Sequence, residues 1–78
     1  MIKKFYKKRF SYFITYKILN TSTSLFYNGS LDSWDDYGKT YSKLDDCKRA
    51  LAMIKNNNIE GDLEIIRFIS KLVQVEEI

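Results

Sequence analysis

The sequence contains no histidine, no proline, three glycines and one cysteine among its 78 residues. Without histidine, the chain cannot build a Ser-His-Asp or Cys-His nucleophile pair or a histidine-ligated metal site. The single cysteine, Cys47, can form neither an internal disulfide nor a structural zinc site, and it fits a reducing compartment. The three glycines lie far apart, which excludes a glycine-rich phosphate loop.

Long apolar runs are also absent from the sequence. No stretch approaches the roughly 18 apolar residues of a membrane-spanning helix, so we expect no membrane helix. The N-terminus has the basic start of a secretory signal, but Lys17 interrupts the apolar run and no small-residue cleavage site follows. We therefore expect a cytoplasmic protein.

The length limits what the chain can enclose. Residues 1–78 have the size of one domain, and such a domain buries only about 60–65% of its unfolded surface. Little structure is left to form a deep catalytic pocket. Because 45% of the residues are hydrophobic and 29% are charged, the composition is that of a folded domain. We expect a non-enzymatic binding protein without a cofactor.

Charge and aromatic residues are concentrated in the first half. Residues 1–20 carry a charge of +6 and no acid, whereas residues 21–78 carry −3. Eleven of the twelve aromatic residues precede residue 42. This asymmetry indicates an N-terminal interaction with a polyanion or an acidic protein.

Alternation predicts strands in the region 9–34. In residues 9–19 one face carries Phe10, Tyr12, Ile14, Tyr16 and Ile18, and the other carries Ser11, Thr15 and Lys17, with Phe13 among them. Residues 24–27 form a second predicted strand. Asn28-Gly29 is typical of a two-residue hairpin turn and predicts a third strand at 30–34.

A helix is predicted over residues 43–56. Ser42 and Asp45 have the spacing of a capping box, and Asn56–Asn58 provide an end in the left-handed conformation. The apolar stripe of the helix consists of Leu44, Cys47, Leu51 and Ile54. We interpret Cys47 as a core residue.

The region 63–75 is ambiguous from the sequence. Its polar residues have helical spacing, but its β-branched residues favour a strand, and we favour a C-terminal strand over 63–76. The predicted class is therefore α+β: a small antiparallel β-sheet with one helix packed on a face, in the order β-β-(β)-α-β.

The basic segment 1–8 and the residues after it form the main candidate site. Lysines and arginine neutralise phosphates, while aromatic rings stack on unpaired bases, so the composition suits RNA or single-stranded DNA better than a duplex. Basic residues of the helix would extend this surface. The predicted nucleic-acid-binding residues are Lys3, Lys4, Phe5, Tyr6, Lys7, Lys8, Arg9, Lys48 and Lys55.

A second candidate site is an aromatic pair flanked by acids. Trp34, Asp35, Asp36 and Tyr37 have the composition of a protein-binding surface, with aromatic anchors and a charged rim. The acids do not have the spacing of a calcium-binding loop, and we expect no metal. Alternatively, Trp34 belongs to the core and the acids solvate a turn.

Three segments resemble small proteins of lytic bacteriophages: YFITYKI at 12–18, TYSKLDD at 40–46 and IEGDLEII at 59–66. The frequent Lys, Asn, Ile, Tyr and Phe also fit an AT-rich genome. The resemblance implies a host-takeover or anti-defence factor that acts in the host cytoplasm on a nuclease, toxin, polymerase or RNA. It transfers no site residue.

The leading hypothesis is thus a phage-encoded binding protein that acts on nucleic acid, or on a host nucleic-acid-processing protein together with its nucleic acid. One such action would be inhibition of a defence nuclease or toxin. The alternatives are a protein–protein inhibitor that uses the Trp34/Tyr37 surface, and a structural homodimer. Steep salt dependence distinguishes the first from the second.

Overall fold

The structure, a computed structural model, describes the backbone of residues 6–77 and the side chains of residues 12–71. It contains a four-stranded antiparallel sheet in the order β3-β2-β1-β4, with one helix packed on it. The predicted α+β class is confirmed. The elements are β1 (Tyr6–Asn20), β2 (Leu25–Ser30), β3 (Ser33–Asp35), α1 (Leu44–Asn56) and β4 (Leu63–Glu77).

The two long strands dominate the shape of the sheet. β1 and β4 pair without a register shift from Asn20↔Leu63 to Tyr6↔Glu77. Fifteen residues of strand span about 50 Å. β2 pairs only with the last two residues of β1. In the described part of the chain, β1 and β4 therefore extend beyond β2 and β3 as a two-stranded ribbon, and the molecule measures 68 × 22 × 16 Å.

The strand prediction for residues 63–75 is confirmed by β4. Ile65, Ile66 and Ile69 are β-branched, and each lies opposite a residue of β1. Their stiff side chains favour the extended backbone, and the ladder of fifteen residue pairs with β1 supplies backbone hydrogen bonds that a helix at this position would not share. This pairing outweighs the helical spacing of the polar residues.

The core lies on one face of the sheet, beneath α1. Ile18 from β1, Tyr27 from β2, and Cys47 and Ile54 from α1 are buried together. We call this the covered face, and we call the opposite side of the sheet the open face. Burial raises the pKa of the Cys47 thiol, as expected for the core cysteine that the sequence predicted.

The predicted hairpin turn at Asn28-Gly29 is wrong. Both residues lie inside β2, where they form an irregularity between the pairs Tyr27↔Trp34 and Ser30↔Ser33, and the chain turns at 31–32 instead. The Tyr27 and Trp34 rings meet edge to face at 5.4 Å, which favours this register. Gly29 has φ +93°, a conformation that suits a bulge as well as a turn.

The helix begins one residue later than the predicted capping box requires. Lys43 is the N-cap and makes no side-chain capping bond, so Ser42 does not cap the helix. Asp45 and Asp46 still lie in the first turn and Lys55 in the last, where each complements the helix dipole. The end is as predicted, because Asn58 takes the left-handed conformation with φ +54°.

Candidate nucleic-acid interface on the open sheet face

Three aromatic rings and one cation share the open face. Phe13 and Lys17 belong to the alternate residues of β1 that lie on the side of the sheet away from α1. Phe68 lies opposite Thr15 in the register, and Phe26 lies opposite Leu19. Phe13 is 53% exposed and Phe68 is 36% exposed, whereas Lys17 and Phe26 are half-buried. We call Phe13, Lys17, Phe26 and Phe68 the aromatic patch.

Lys17 is at the centre of the patch. Its ammonium lies 5.4 Å from the centroid of the Phe26 ring and 5.4 Å from that of the Phe68 ring. The two rings are 6.1 Å apart and inclined at 58°. Cation–π attraction from both rings therefore holds the charge in place. The ammonium also donates a hydrogen bond to the backbone carbonyl of Tyr37.

The loop after β3 borders the patch and is held by Asp35. Its carboxylate accepts hydrogen bonds from the backbone N–H groups of Tyr37 at 2.9 Å and Gly38 at 2.6 Å, and one from the Asn28 side chain. The Gly38 hydrogen bond is the main cause that holds the pKa of the Asp35 carboxyl below its ordinary value. The loop in turn places the Tyr37 carbonyl against Lys17.

Gly38 allows the loop to pack directly on the patch. It has φ +74°, and a Cβ atom there would lie 2.4 Å from the Cβ of Phe26. A side chain at this position is thus excluded both by the backbone conformation and by the close approach to β2. Tyr37, next to it, is 80% exposed at the border of the patch.

This arrangement suits flat, electron-rich groups carried on an anionic chain. Exposed phenyl rings offer surfaces on which unpaired bases stack, and a fixed ammonium beside Phe68 attracts phosphate oxygens. An open sheet face that carries aromatic residues is one of the recurring surfaces for single-stranded RNA. The bases of a duplex are already stacked on each other and would not fit these rings.

The residues predicted to bind nucleic acid are spread over the molecule. Lys3, Lys4 and Phe5 lie outside the described residues. The backbone of Tyr6, Lys7, Lys8 and Arg9 forms the first residues of β1, on the strand that carries Phe13 and Lys17. Lys7, Lys8 and Arg9 therefore precede the aromatic patch on the same strand.

The helix lysines are not on the open face. Lys48 and Lys55 are exposed on α1, which packs on the covered face. Lys55 borders a groove with Leu63, the residue opposite Asn20 at the far end of β1 from Arg9. Eleven residues of strand separate Arg9 from Asn20, a distance of about 36 Å. In the described part of the chain, the backbone of Arg9 therefore lies far from the end of β1 next to Lys55.

The predicted protein-binding surface is also divided. Trp34 packs against the core, and its indole N–H donates to the Leu31 carbonyl at 2.8 Å, so it is a structural residue and not an exposed anchor. Asp35 is occupied by the loop hydrogen bonds. Only Asp36 and Tyr37 of the four are exposed to solvent. The alternative in which Trp34 belongs to the core is the one that the structure supports.

Sequence reasoning missed Lys17, Phe26 and Phe68 as site residues. One signal was available: Phe13 interrupts the polar face of the predicted first strand, next to Thr15 and Lys17. The faces of Phe26 and Phe68 depend on how β2 and β4 align with β1. That alignment is a long-range property, which a single-strand pattern does not contain.

Neither a metal site nor a membrane-spanning helix is present among the described residues. Within residues 12–71, no group of three or more Cys, Asp or Glu side chains is arranged to hold a metal ion. No helix in the described part of the chain is long and apolar enough to cross a membrane.

Comparison with protein-family models, with curated proteins and with solved structures finds no match for this chain. The fold and the patch together define an α+β protein with a single sheet layer, one face covered by a helix and the other open.

Proposed function

We propose that this protein is a non-enzymatic binding protein for single-stranded nucleic acid, with the open sheet face as the binding surface. The observation that carries the proposal is the position of the Lys17 ammonium, 5.4 Å from each of the Phe26 and Phe68 ring centroids. Two unpaired bases stack on Phe13 and Phe68, the more exposed rings. Lys17 lies on the far side of Phe68 from Phe13 along β1 and receives a phosphate next to the base that stacks on Phe68.

Charge complementarity favours a polyanion on this face over a neutral apolar partner. The cations of residues 3–9 precede Phe13 on the same strand or directly upstream of it. A strand of nucleic acid that runs along β1 meets the N-terminal cations first and the aromatic patch second. Its phosphates are neutralised along the way, which makes the affinity depend steeply on salt.

The test is the affinity for a fluorescently labelled 12-nucleotide RNA and the matching DNA strand, compared with a 12-base-pair duplex. The decisive variant is Phe13→Ser combined with Phe68→Ser. Stacking contributes about 1–3 kcal/mol per base, so this double variant is expected to bind at least tenfold more weakly. The wild-type protein is expected to prefer single strands over the duplex.

The chain offers a closely matched control. Tyr12 is 63% exposed and adjoins Phe13, but it lies on the covered-face side of β1. Tyr12→Ser removes an exposed aromatic ring one residue away and should leave the affinity unchanged. Equal losses in Tyr12→Ser and in the Phe13/Phe68 variant would contradict the assignment to the open face.

The N-terminal cations are tested separately by changing Lys7, Lys8 and Arg9 to Ala. For single strands, each lost phosphate contact lowers the slope of log K against log salt by about 0.7, so this variant should lose up to roughly 2 from the slope. If the triple variant kept the wild-type affinity and the same slope of log K against log salt, the N-terminal segment would not be part of the interface. No single-strand binding by the wild-type protein at low salt would overturn the proposed function itself.

A further inference from the structure

Tyr37 places an exposed aromatic ring at the border of the aromatic patch. It is 80% exposed, more than any other large hydrophobic side chain of residues 12–71. Tyr12, the next most exposed ring, lies on the covered-face side of β1. Tyr37 therefore joins Phe13 and Phe68 as an exposed ring next to the surface proposed to bind single strands.

The backbone of Tyr37 is held in place on both sides. Its N–H donates to the Asp35 carboxylate at 2.9 Å, and its carbonyl accepts a hydrogen bond from the Lys17 ammonium. The next residue, Gly38, passes so close to β2 that a Cβ atom there would lie 2.4 Å from the Cβ of Phe26. On binding, an exposed tyrosine on a fixed backbone loses the freedom of only two side-chain torsions. The loop thus presents a preorganised contact.

Lys17 contacts both Phe68 and the backbone of Tyr37. Its ammonium lies 5.4 Å from the centroid of the Phe68 ring and donates to the Tyr37 carbonyl. A carbonyl oxygen lies about 2.4 Å from the Cα of its own residue, and a hydrogen bond spans at most about 3.2 Å. The Cα of Tyr37 is therefore within about 11 Å of the Phe68 ring centroid. Two rings this close can each take one base of the same short strand.

We propose that Tyr37 is a third stacking residue of the site, so that the ligand is a single strand with three consecutive unpaired bases. This inference rests on the proposed function of the open face. Phe13, Phe68 and Tyr37 take one base each, in this order along the strand. Lys17 binds the phosphate that joins the bases on Phe68 and Tyr37. The order follows from the register, in which Phe68 lies midway between Phe13 and Lys17.

The charges of the loop determine where the site ends. Asp35 and Asp36 directly precede Tyr37, and Asp36 is exposed. Carboxylates repel the phosphate that follows the base on Tyr37, whereas Lys17 attracts the phosphate before it. The base on Tyr37 is therefore the last one that the site holds at this end.

The first test counts the stacked bases with 12-nucleotide strands, built on whichever sugar backbone binds more tightly. The strands are abasic except at none, one, two or three consecutive central positions. All of them carry the same phosphates, so differences in affinity report stacking. For the wild-type protein, the third base should raise the affinity at least about fivefold, the lower limit for one base stacked on an aromatic ring. For Tyr37→Ser, the third base should raise it less than about twofold.

Two variants serve as controls for this measurement. Tyr37→Phe keeps the ring and removes only the hydroxyl, so it should retain the wild-type gain from the third base. Tyr12→Ser removes an exposed tyrosine from the covered-face side of β1 and should retain the gain as well. Loss of the gain in Tyr12→Ser would contradict a site confined to the open face.

The second test locates the phosphate that Lys17 binds. The strand with three bases has two linkages between them, and each in turn is replaced by an uncharged methylphosphonate. One replacement should weaken binding to the wild-type protein about fivefold more than the other, and this difference should disappear in Lys17→Met. The sensitive linkage joins the bases on Phe68 and Tyr37, so it also gives the direction in which the strand runs.

The outcomes separate this inference from the proposed function. If neither the first nor the second base raised the affinity of the wild-type protein, the open face would not stack bases and the proposed function would fail. If those gains were present but Tyr37→Ser kept the gain from the third base, the function would stand and Tyr37 would not be a stacking residue. Equal sensitivity of the two linkages in the wild-type protein would overturn the position of the phosphate at Lys17.

Discussion

The two faces of the sheet are built from alternating residues of the same strands, yet they differ in kind. Ile18 is completely buried beneath α1, while its neighbour Lys17 lies on the open face between two phenyl rings. The covered face is closed by aliphatic residues, Cys47 and Tyr27, whereas the open face leaves Phe13 and Phe68 in solvent. The two-residue period of a strand thus allows stability and binding to be assigned to different side chains of one segment.

The largest expected effect is a loss of stability, caused by a substitution in the buried core of the covered face. Ile18→Ala removes a fully buried side chain from the centre of the small core and should lower the free energy of unfolding by about 2–4 kcal/mol. The half-exposed Phe13, changed to Ala, should cost less than about 1 kcal/mol. Urea denaturation of both variants checks this difference. If Ile18→Ala and Phe13→Ala lowered the free energy of unfolding by similar amounts, the covered face would not contribute more to stability than the open face.

A substitution at Gly38 should lower both the stability and the single-strand affinity, to an intermediate degree. Gly38→Ala forces a positive φ on alanine and brings its Cβ against Phe26, at a cost of about 1–3 kcal/mol. Because the same loop holds the Tyr37 carbonyl on Lys17, single-strand affinity should fall together with thermal stability. Gly29→Ala is the matched control, since its φ is also positive but the nearest atom to a new Cβ lies 3.7 Å away. An equal loss of affinity in Gly29→Ala would contradict the role of the loop.

Removal of the charge at Lys17 should weaken single-strand binding on the open face with little effect on the stability of the fold. Lys17→Met keeps an unbranched side chain against Phe26 and Phe68 but removes the cation. The loss of one phosphate contact should weaken single-strand binding about fivefold and reduce the salt slope by about 0.7. The free energy of unfolding should change by less than about 1 kcal/mol, the magnitude of an exposed cation–π contact. Unchanged single-strand affinity in Lys17→Met would show that the Lys17 cation does not contribute to binding.

The smallest expected effect is a pH dependence at Asp35. Its folded-state pKa is lowered, so its contribution to stability is present above the ordinary value of 3.8 and is lost as the pH falls through the lowered pKa. Amide resonances of Tyr37 and Gly38 should shift in this acidic range in the wild-type protein and not in Asp35→Asn. Asp36→Asn removes the same charge from an exposed position of the loop and should keep the transition. If the transition disappeared in Asp36→Asn, the carboxylate that titrates would be Asp36, and the assignment to Asp35 would be wrong.

Local patterns in the sequence predicted the elements of the fold well. Alternation in residues 9–19, the apolar stripe around Cys47 and the β-branched residues after Leu63 each correspond to an element of the structure. The errors occur where long-range packing decides between local options. The Tyr27–Trp34 contact moves the hairpin turn away from Asn28-Gly29, and the helix begins at Leu44 without a cap from Ser42.

The candidate site was harder to predict for the same reason. The sequence emphasised a contiguous run of cations at residues 3–9, whereas the aromatic patch joins residues from β1, β2 and β4. The proximity of Phe26 and Phe68, 42 positions apart in the chain, follows from strand register alone. Conversely, the composition of residues 34–37 indicated a binding surface, but Trp34 and Asp35 are used inside the fold.

The most direct test of the division between the two faces is to map the interface by nuclear magnetic resonance. The isotope-labelled protein would be titrated with an unlabelled 12-nucleotide single strand, and backbone and aromatic shifts followed residue by residue. We expect the largest changes on Phe13, Lys17, Phe26 and Phe68, while α1 around Cys47 and Ile54 is unaffected. Changes concentrated on Lys48 and Lys55 of the helix, with the aromatic patch silent, would contradict it.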